Sequence, residues 1–316
     1  MTEHTVTANK IASHLECPRK HEFEFERPLD ASSASNSARE RWSELLRQAI
    51  ISGLEVNEGS PNERRDAAIE YLDANTDSTG ESRIVHEEGE YQRSVAKEAI
   101  ETYFTSDLGR EHCENVRLID TVLGYERNGI RYEVEVDAVV EAENGYQGLQ
   151  FVPDVRLPPD WSEENVRQFR NGEKFYPRQI GRLLGAAIAI KGLMKEYGLE
   201  THNDFGYVSL VDRVRPNYDE SGGIDVRAEA RYLGDMYEEE QEEVNRLLEA
   251  RTKAIIDGES DPRKWQYDAI LEQSCRDCPY LDACPEYMAH DAAFVDRQRL
   301  SEDDQWSDAE FSGGDY

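Results

Sequence analysis

Three runs of apolar or alternating residues, Val116–Tyr125, Ile130–Val140 and Tyr146–Val152, are separated by Glu126-Arg127-Asn128-Gly129 and by Glu143-Asn144-Gly145. An Asn-Gly pair between alternating runs is the strongest short-range hairpin signal, because both residues tolerate the positive φ of a tight turn. The three runs therefore predict an antiparallel meander. On either side the apolar spacing changes to three and four: Trp42, Leu45, Leu46, Ala49 and Ile50 mark a helix over 38–53, and Ile180, Leu183, Leu184, Ala187 and Ile188 mark a long one over 176–193. Phe205–Val211 reads as a further strand. Helix, three strands, helix, strand is an α/β order, with a mixed central sheet flanked by helices.

Other stretches are plainer. Ile11, Leu15, Phe23 and Phe25 stand among charges and predict a short helix followed by an extended segment. Residues 57–90 are polar and leave room for one short helix near Arg65–Leu72, and Tyr91–Phe104 predicts a better one. A helix is expected at 162–171, a strand at Ile224–Tyr232 and an acidic helix at Glu238–Ile256. The Asp-, Ser- and Gly-rich residues 301–316 form an acidic tail, expected to be disordered.

With 36 Lys+Arg against 67 Asp+Glu the formal charge is −31, which excludes a free-standing basic nucleic-acid coat. The acid is spread along the 316 residues, and the bases are 28 Arg and 8 Lys. Dispersed carboxylates keep a chain hydrated where salt screens repulsion to roughly 3 Å at molar concentration, so the charge reports a salt-rich cytoplasm more than a partner. The start, Met1-Thr2-Glu3-His4, lacks a basic then apolar leader, and no run nears the ~18 apolar residues of a membrane span. A soluble cytoplasmic protein without a membrane partner is expected.

Near the C-terminus stands Cys275-Arg276-Asp277-Cys278-Pro279-Tyr280-Leu281-Asp282-Ala283-Cys284-Pro285. Two Cys three apart on a turn can aim both sulfurs at one metal, and a third six positions on can extend that face. Only Cys17 and Cys113 remain as a fourth ligand, and Cys17-Pro18 repeats the Cys-Pro flank of Cys278 and Cys284. Zinc and an iron–sulfur cluster both accept four thiolates, so the count leaves the two open. Cys113 reads as a lone thiol, and His112 beside it as an exposed histidine.

Ser13-His14-Leu15-Glu16-Cys17-Pro18-Arg19-Lys20-His21-Glu22-Phe23, the mid-chain hairpin with its acid, and the late Cys-x2-Cys-x5-Cys together resemble the RecB-type branch of the PD-(D/E)XK nuclease superfamily. The likeness is to its iron–sulfur members, such as the CRISPR-associated exonuclease family and the AddB nuclease domain, and runs from Ser13 to Pro285. The resemblance implies a restriction-endonuclease-like core over residues 1–300, with a helical insertion at about 38–110. It further implies that Cys17, Cys275, Cys278 and Cys284 hold a [4Fe–4S] cluster, or alternatively zinc, joining the two ends of the chain.

The family's chemistry uses an Asp, a second acid and a Lys to hold Mg²⁺ or Mn²⁺ and orient water. Asp137, in Val134-Glu135-Val136-Asp137, matches the first acid and so a metal ligand. The acid-x-Lys expected on the next strand reads Gln150-Phe151-Val152, and a metal-binding His is replaced by Trp42. Gln179 keeps a family position whose later Tyr is Leu183 here, and Asp154-Val155-Arg156 offers an alternative acid and base two apart. Arg170, Lys174, Arg178 and Arg182, with aromatic residues between them, could track a single strand. The expected function is a DNA-binding, catalytically degenerate nuclease-family protein acting in repair or recombination, with single strands or ends as ligand and a helicase or repair protein as partner. An active Mg²⁺- or Mn²⁺-dependent exonuclease and an interaction protein without nucleic acid are the alternatives.

Overall fold

Asn128 and Gly129 take φ of +54° and +75°, the pair of left-handed residues a two-residue hairpin demands, and close Arg127 against Ile130. This is from a computed structural model of the chain, which describes residues 4–29, 38–76, 83–152, 163–198, 202–216 and 224–291. Strands β2 (Val116–Arg127), β3 (Ile130–Ala142) and β4 (Gly145–Val152) form the expected antiparallel meander. At the second turn Gly145 is held by space rather than by φ. A Cβ there would meet the His202 carbonyl oxygen at 1.9 Å, and His202 donates its N–H to Asn144 O at 3.0 Å.

Helix α8 (Pro177–Tyr197) then carries the chain to β5 (Asp204–Pro216), parallel to β4, and β6 (Ile224–Tyr232) returns antiparallel to β5. A short β1 (His4–Thr7), not anticipated from sequence, pairs parallel with Ile130–Glu133. The result is a mixed six-stranded open sheet flanked by helices.

Each face of the sheet has its own core. On one lie α1 (Ala8–Glu16), α8 and α10 (Gln241–Ile256), burying Ile11, Leu15, Ile180, Leu184, Ile188 and Leu248 against Val134, Val136 and Phe205. Gly192 lets α8 settle on β2, since a Cβ there would stand 2.7 Å from Gly124 N. On the other face α3 (Ala38–Leu54), α4 (Pro61–Thr76) and α5 (Arg83–Thr105) bury Leu46, Ile50, Leu72 and Ile100 against Val140, Leu149, Phe151 and Val208. Full burial of side chains of this size contributes about 1.5–3 kcal/mol each. The segment 38–110 is thus one of the two layers covering the sheet.

Several elements differ from expectation. Phe23 and Phe25 lie in a π-helical turn, Glu22–Glu26, after α2 (Pro18–His21), rather than in an extended segment. Helices α4 and α5 are longer than the polar stretch 57–90 promises, because Ala68, Leu72, Val95 and Ala99 are enough to seat them on the sheet. Cys113 falls on α6 (Asp107–Asn115). Helix α7 (Glu163–Arg170), α9 (Gly234–Glu239) and α11 (Tyr267–Gln273) complete the layers. Asp154 and residues 301–316 lie outside the described residues.

Candidate functional site

Strand β2 runs along one edge of β3 from Ile130 to Val140. The other edge is shared: β1 takes Ile130–Glu133 and β4 takes Ala138–Ala142. Asp137 stands where that edge is unpaired. Its Oδ2 accepts the Phe151 N–H at 2.5 Å, bridging the gap where β4 leaves β3 for β5. Its Oδ1 accepts from Arg47 Nε at 2.9 Å and Nη2 at 2.6 Å. The side chain is 1% exposed and Arg47 22%. Burial raises the Asp137 carboxyl, and the bonds and charge of Arg47 act against it, followed by the Phe151 amide. Arg47 also reaches Glu44 through Nη1 at 2.7 Å.

Gln150 is half-buried on β4, level with Tyr207 of β5, and Val152 is level with Ser209. Trp42 is half-buried on α3. Among the described residues no group of three or more His, Cys, Asp or Glu side chains is arranged to hold a metal ion. The expectation of Asp137 as a metal ligand therefore meets a carboxylate already held by a guanidinium and an amide. Sequence reasoning missed Arg47. Its signal was a base on the helix α3, one turn before the buried Ile50 and Ile51.

The cysteines come from both ends of the described chain. Cys17 ends α1 and begins α2, its backbone extended at φ −166° and followed by Pro18 at the first helical position. Cys275, Cys278 and Cys284 lie in successive tight turns after α11, with the Cys278 N–H donated to Cys275 O at 3.1 Å and the Cys284 N–H to Leu281 O at 3.1 Å. The two segments dock directly. Arg19 Nε and Nη2 donate to Glu286 at 3.1 and 2.5 Å, and the Phe23 and Tyr280 rings pack at 5.6 Å.

All five cysteines are free thiols. Burial pushes Cys17 up to about 11, with the charges of Cys278 and Cys284 adding to it and the Lys20 and Arg19 amides opposing. Burial pushes Cys275 up to about 12, with Cys17, Cys278 and Cys284 adding. Cys17 and Cys275 thus each feel the charges of Cys278 and Cys284. Backbone N–H groups also point at three of them: those of Lys20 and Arg19 at Cys17, that of Tyr280 at Cys278, and those of Tyr287 and Glu286 at Cys284. Cys17 and Cys275 are buried and Cys278 and Cys284 half-buried, and the four thiols are not arranged as a metal site among the described residues, although thiols are in kind ligands for a soft cation. Cys113 is buried apart from them on α6, its thiol pushed up to about 11 by burial.

Beside this junction opens a cleft of about 680 Å³, walled by Lys20, Lys174, Tyr176, Arg178, Gln179 and Cys278 among others. Gln179 therefore faces the cysteine segment, and neither Asp137 nor Gln150 lines the cleft. Most of the expected basic patch is locally paired. Arg170 meets Glu243, Arg178 Nε meets Glu16 at 3.3 Å, and Lys20 meets Glu16 at 2.6 Å. The Arg182 guanidinium lies 5.4 Å from the centre of the Tyr207 ring, and Lys174 is exposed. A smaller cleft of about 430 Å³ adjoins Cys113 and Arg64 on the other side of the molecule's sheet, near α4 and β2.

His112 is not exposed: it is 1% accessible, its Nδ1 is 2.9 Å from the Tyr103 hydroxyl, and burial lowers it to about 4. The Tyr103 hydroxyl at Nδ1 and the Tyr232 hydroxyl 3.4 Å from Nε2 enclose it, despite the flanking charges Glu111 and Glu114 that made it look solvated. No helix among the described residues is long and apolar enough to cross a membrane. No protein-family model matches the chain, and no curated protein matches it.

Proposed function

We propose that this chain is a RecB-like PD-(D/E)XK-family protein that binds DNA, as single strands or ends, while having lost metal-dependent phosphodiester hydrolysis. It acts in the cytoplasm, as a holding subunit beside a helicase or repair protein. The observation that carries this reading is the Arg47–Asp137 pair. A nuclease of this type needs its carboxylates open to a divalent cation, which cannot be replaced by a neutral Gln150 and an apolar Val152. Here a guanidinium balances the one matching acid.

The order of helix, three antiparallel strands, crossover helix and parallel strand supports a restriction-endonuclease-like core. The docking of the Cys17 segment on the Cys275–Cys284 turns through Arg19–Glu286 and Phe23–Tyr280 supports a thiolate centre held by Cys17, Cys275, Cys278 and Cys284, [4Fe–4S] or zinc. When bound, such a group supplies a structural clamp between α1–α2 and the turns after α11. Lys174, Arg178 and Gln179 would meet the DNA backbone at the cleft beside it.

The test incubates the purified full chain with labelled single-stranded DNA and Mn²⁺ in high salt. Binding without cleavage is the expected result, for the native chain and for Asp137→Ala alike. Cleavage that Asp137→Ala abolishes would overturn the degenerate reading in favour of an active exonuclease, and absence of binding would overturn the DNA reading.

A further inference from the structure

Behind the cysteine junction lies a buried polar cluster that the proposed function does not use. Arg251, on α10, is 6% exposed and its guanidinium carbon stands 3.6 Å from the centre of the Trp265 ring, with Phe169 at 6.0 Å beyond. Trp265 meets His14 edge-on at 5.6 Å, and His14 meets His21 at 5.5 Å. His14 and His21 are 0% and 3% exposed. Arg251 Nε, Trp265 Nε1, His14 Nδ1 and His21 Nε2 are all buried atoms without a hydrogen-bond partner among the described residues.

Arg251 has no carboxylate in contact among the described residues, and burial alone pulls it down to about 9. A guanidinium in that state is still charged at neutral pH. An unpaired buried charge is costly, and stacking on one indole offsets only part of that cost. A water molecule would satisfy the orphan donors and leave the charge unbalanced. His14 and His21 add no positive charge, since burial lowers them to about 3 and about 4. His14 Nε2 donates to Glu259 O at 3.1 Å, so in the neutral ring Nδ1 is an acceptor. Neither of the two clefts above is lined by Arg251, Trp265, His14 or His21.

We propose that Arg251 and Trp265 hold one small monovalent anion of the halide type, enclosed between α10, the Trp265 turn and the His14–His21 segment, with Arg251 Nε–H and Trp265 Nε1–H as its donors. A spherical ion of this kind needs few directed bonds and supplies the missing charge. It also ties α1 to α10 independently of any group on the cysteines and of any DNA bound by the chain.

Two experiments decide it, both on the full chain. Crystals transferred from chloride to bromide are expected to show anomalous density within hydrogen-bonding distance of Arg251 Nε and Trp265 Nε1. Density only at surface positions, or a water at the cluster, would overturn the proposal. In solution, replacing gluconate by chloride at constant potassium is expected to raise Tm by about 2–4 °C in a saturating way. Arg251→Met is expected to abolish the rise. An equal rise in that variant, or none in the native chain, would overturn it, and should the variant not fold the bromide experiment on the native chain decides alone.

Discussion

Two nitrogens of Arg47 converge on one oxygen of Asp137, and the other oxygen receives the Phe151 amide, so a helix and two diverging strands meet in a single carboxylate. Removing one partner of such a buried pair leaves an uncompensated charge and costs about 3–5 kcal/mol. Arg47→Met should lower the urea midpoint accordingly. The double variant R47M/D137N should recover part of the loss, because an amide oxygen at that position still accepts from Phe151. Equal midpoints for the native chain and Arg47→Met would show that the pair does not hold the strands.

If sulfurs from the two ends share one inorganic group, Cys17→Ser and Cys278→Ser should each cut bound iron or zinc in the purified protein to background and lower Tm together. Cys113→Ser, buried on α6 away from the junction, should keep the full metal content. Metal analysis with the ultraviolet–visible spectrum separates iron–sulfur from zinc, and retention of metal in Cys17→Ser would remove the first cysteine from the ligand set.

His112 is neutral when folded down to about pH 4, whereas in the unfolded chain it takes a proton below about 6.5. Its contribution to stability is therefore complete above pH 6.5 and is lost as the pH falls from there toward 4, by about 1.4 kcal/mol per unit. Urea unfolding at steps between pH 7.5 and 4.5 should show a shallower decline in His112→Gln than in the native chain. Parallel declines would place the acid sensitivity elsewhere.

Lys174 and Arg178 line the cleft and are exposed, whereas Arg170, exposed as well, lies outside its lining and is engaged with Glu243. Lys174→Ala and Arg178→Ala should each weaken single-stranded DNA binding and reduce the slope of log affinity against log salt by about 0.7. Arg170→Ala should change the slope less. The salt dependence of fluorescence anisotropy measures both.

The meander, α8 and β6 were legible because Asn-Gly turns and apolar spacing are local signals, written within ten or twenty residues. Helices α4 and α5 were hard to see because their helicity rests on packing of a few residues such as Leu72 and Ala99 against the sheet, which no local pattern records. β1 was invisible for the same reason: four residues become a strand only through Ile130–Glu133. At the site, Gln150 and Trp42 were picked out by the resemblance, and both are half-buried, on β4 and α3. Arg47 showed only as a base on the inward side of α3, and its role could not be read because its partner lies 90 positions away. His112 misled because charged neighbours in sequence are not its neighbours in space.

The Arg19–Glu286 pair joins residues 267 positions apart. On the ribosome, α2 emerges long before the turns that receive it, so the base of Arg19 must wait through the synthesis of the whole sheet. A nascent chain stalled before those turns would carry an unfinished seam, open to chaperones and proteases, and vectorial folding from the first residue onward cannot complete this molecule.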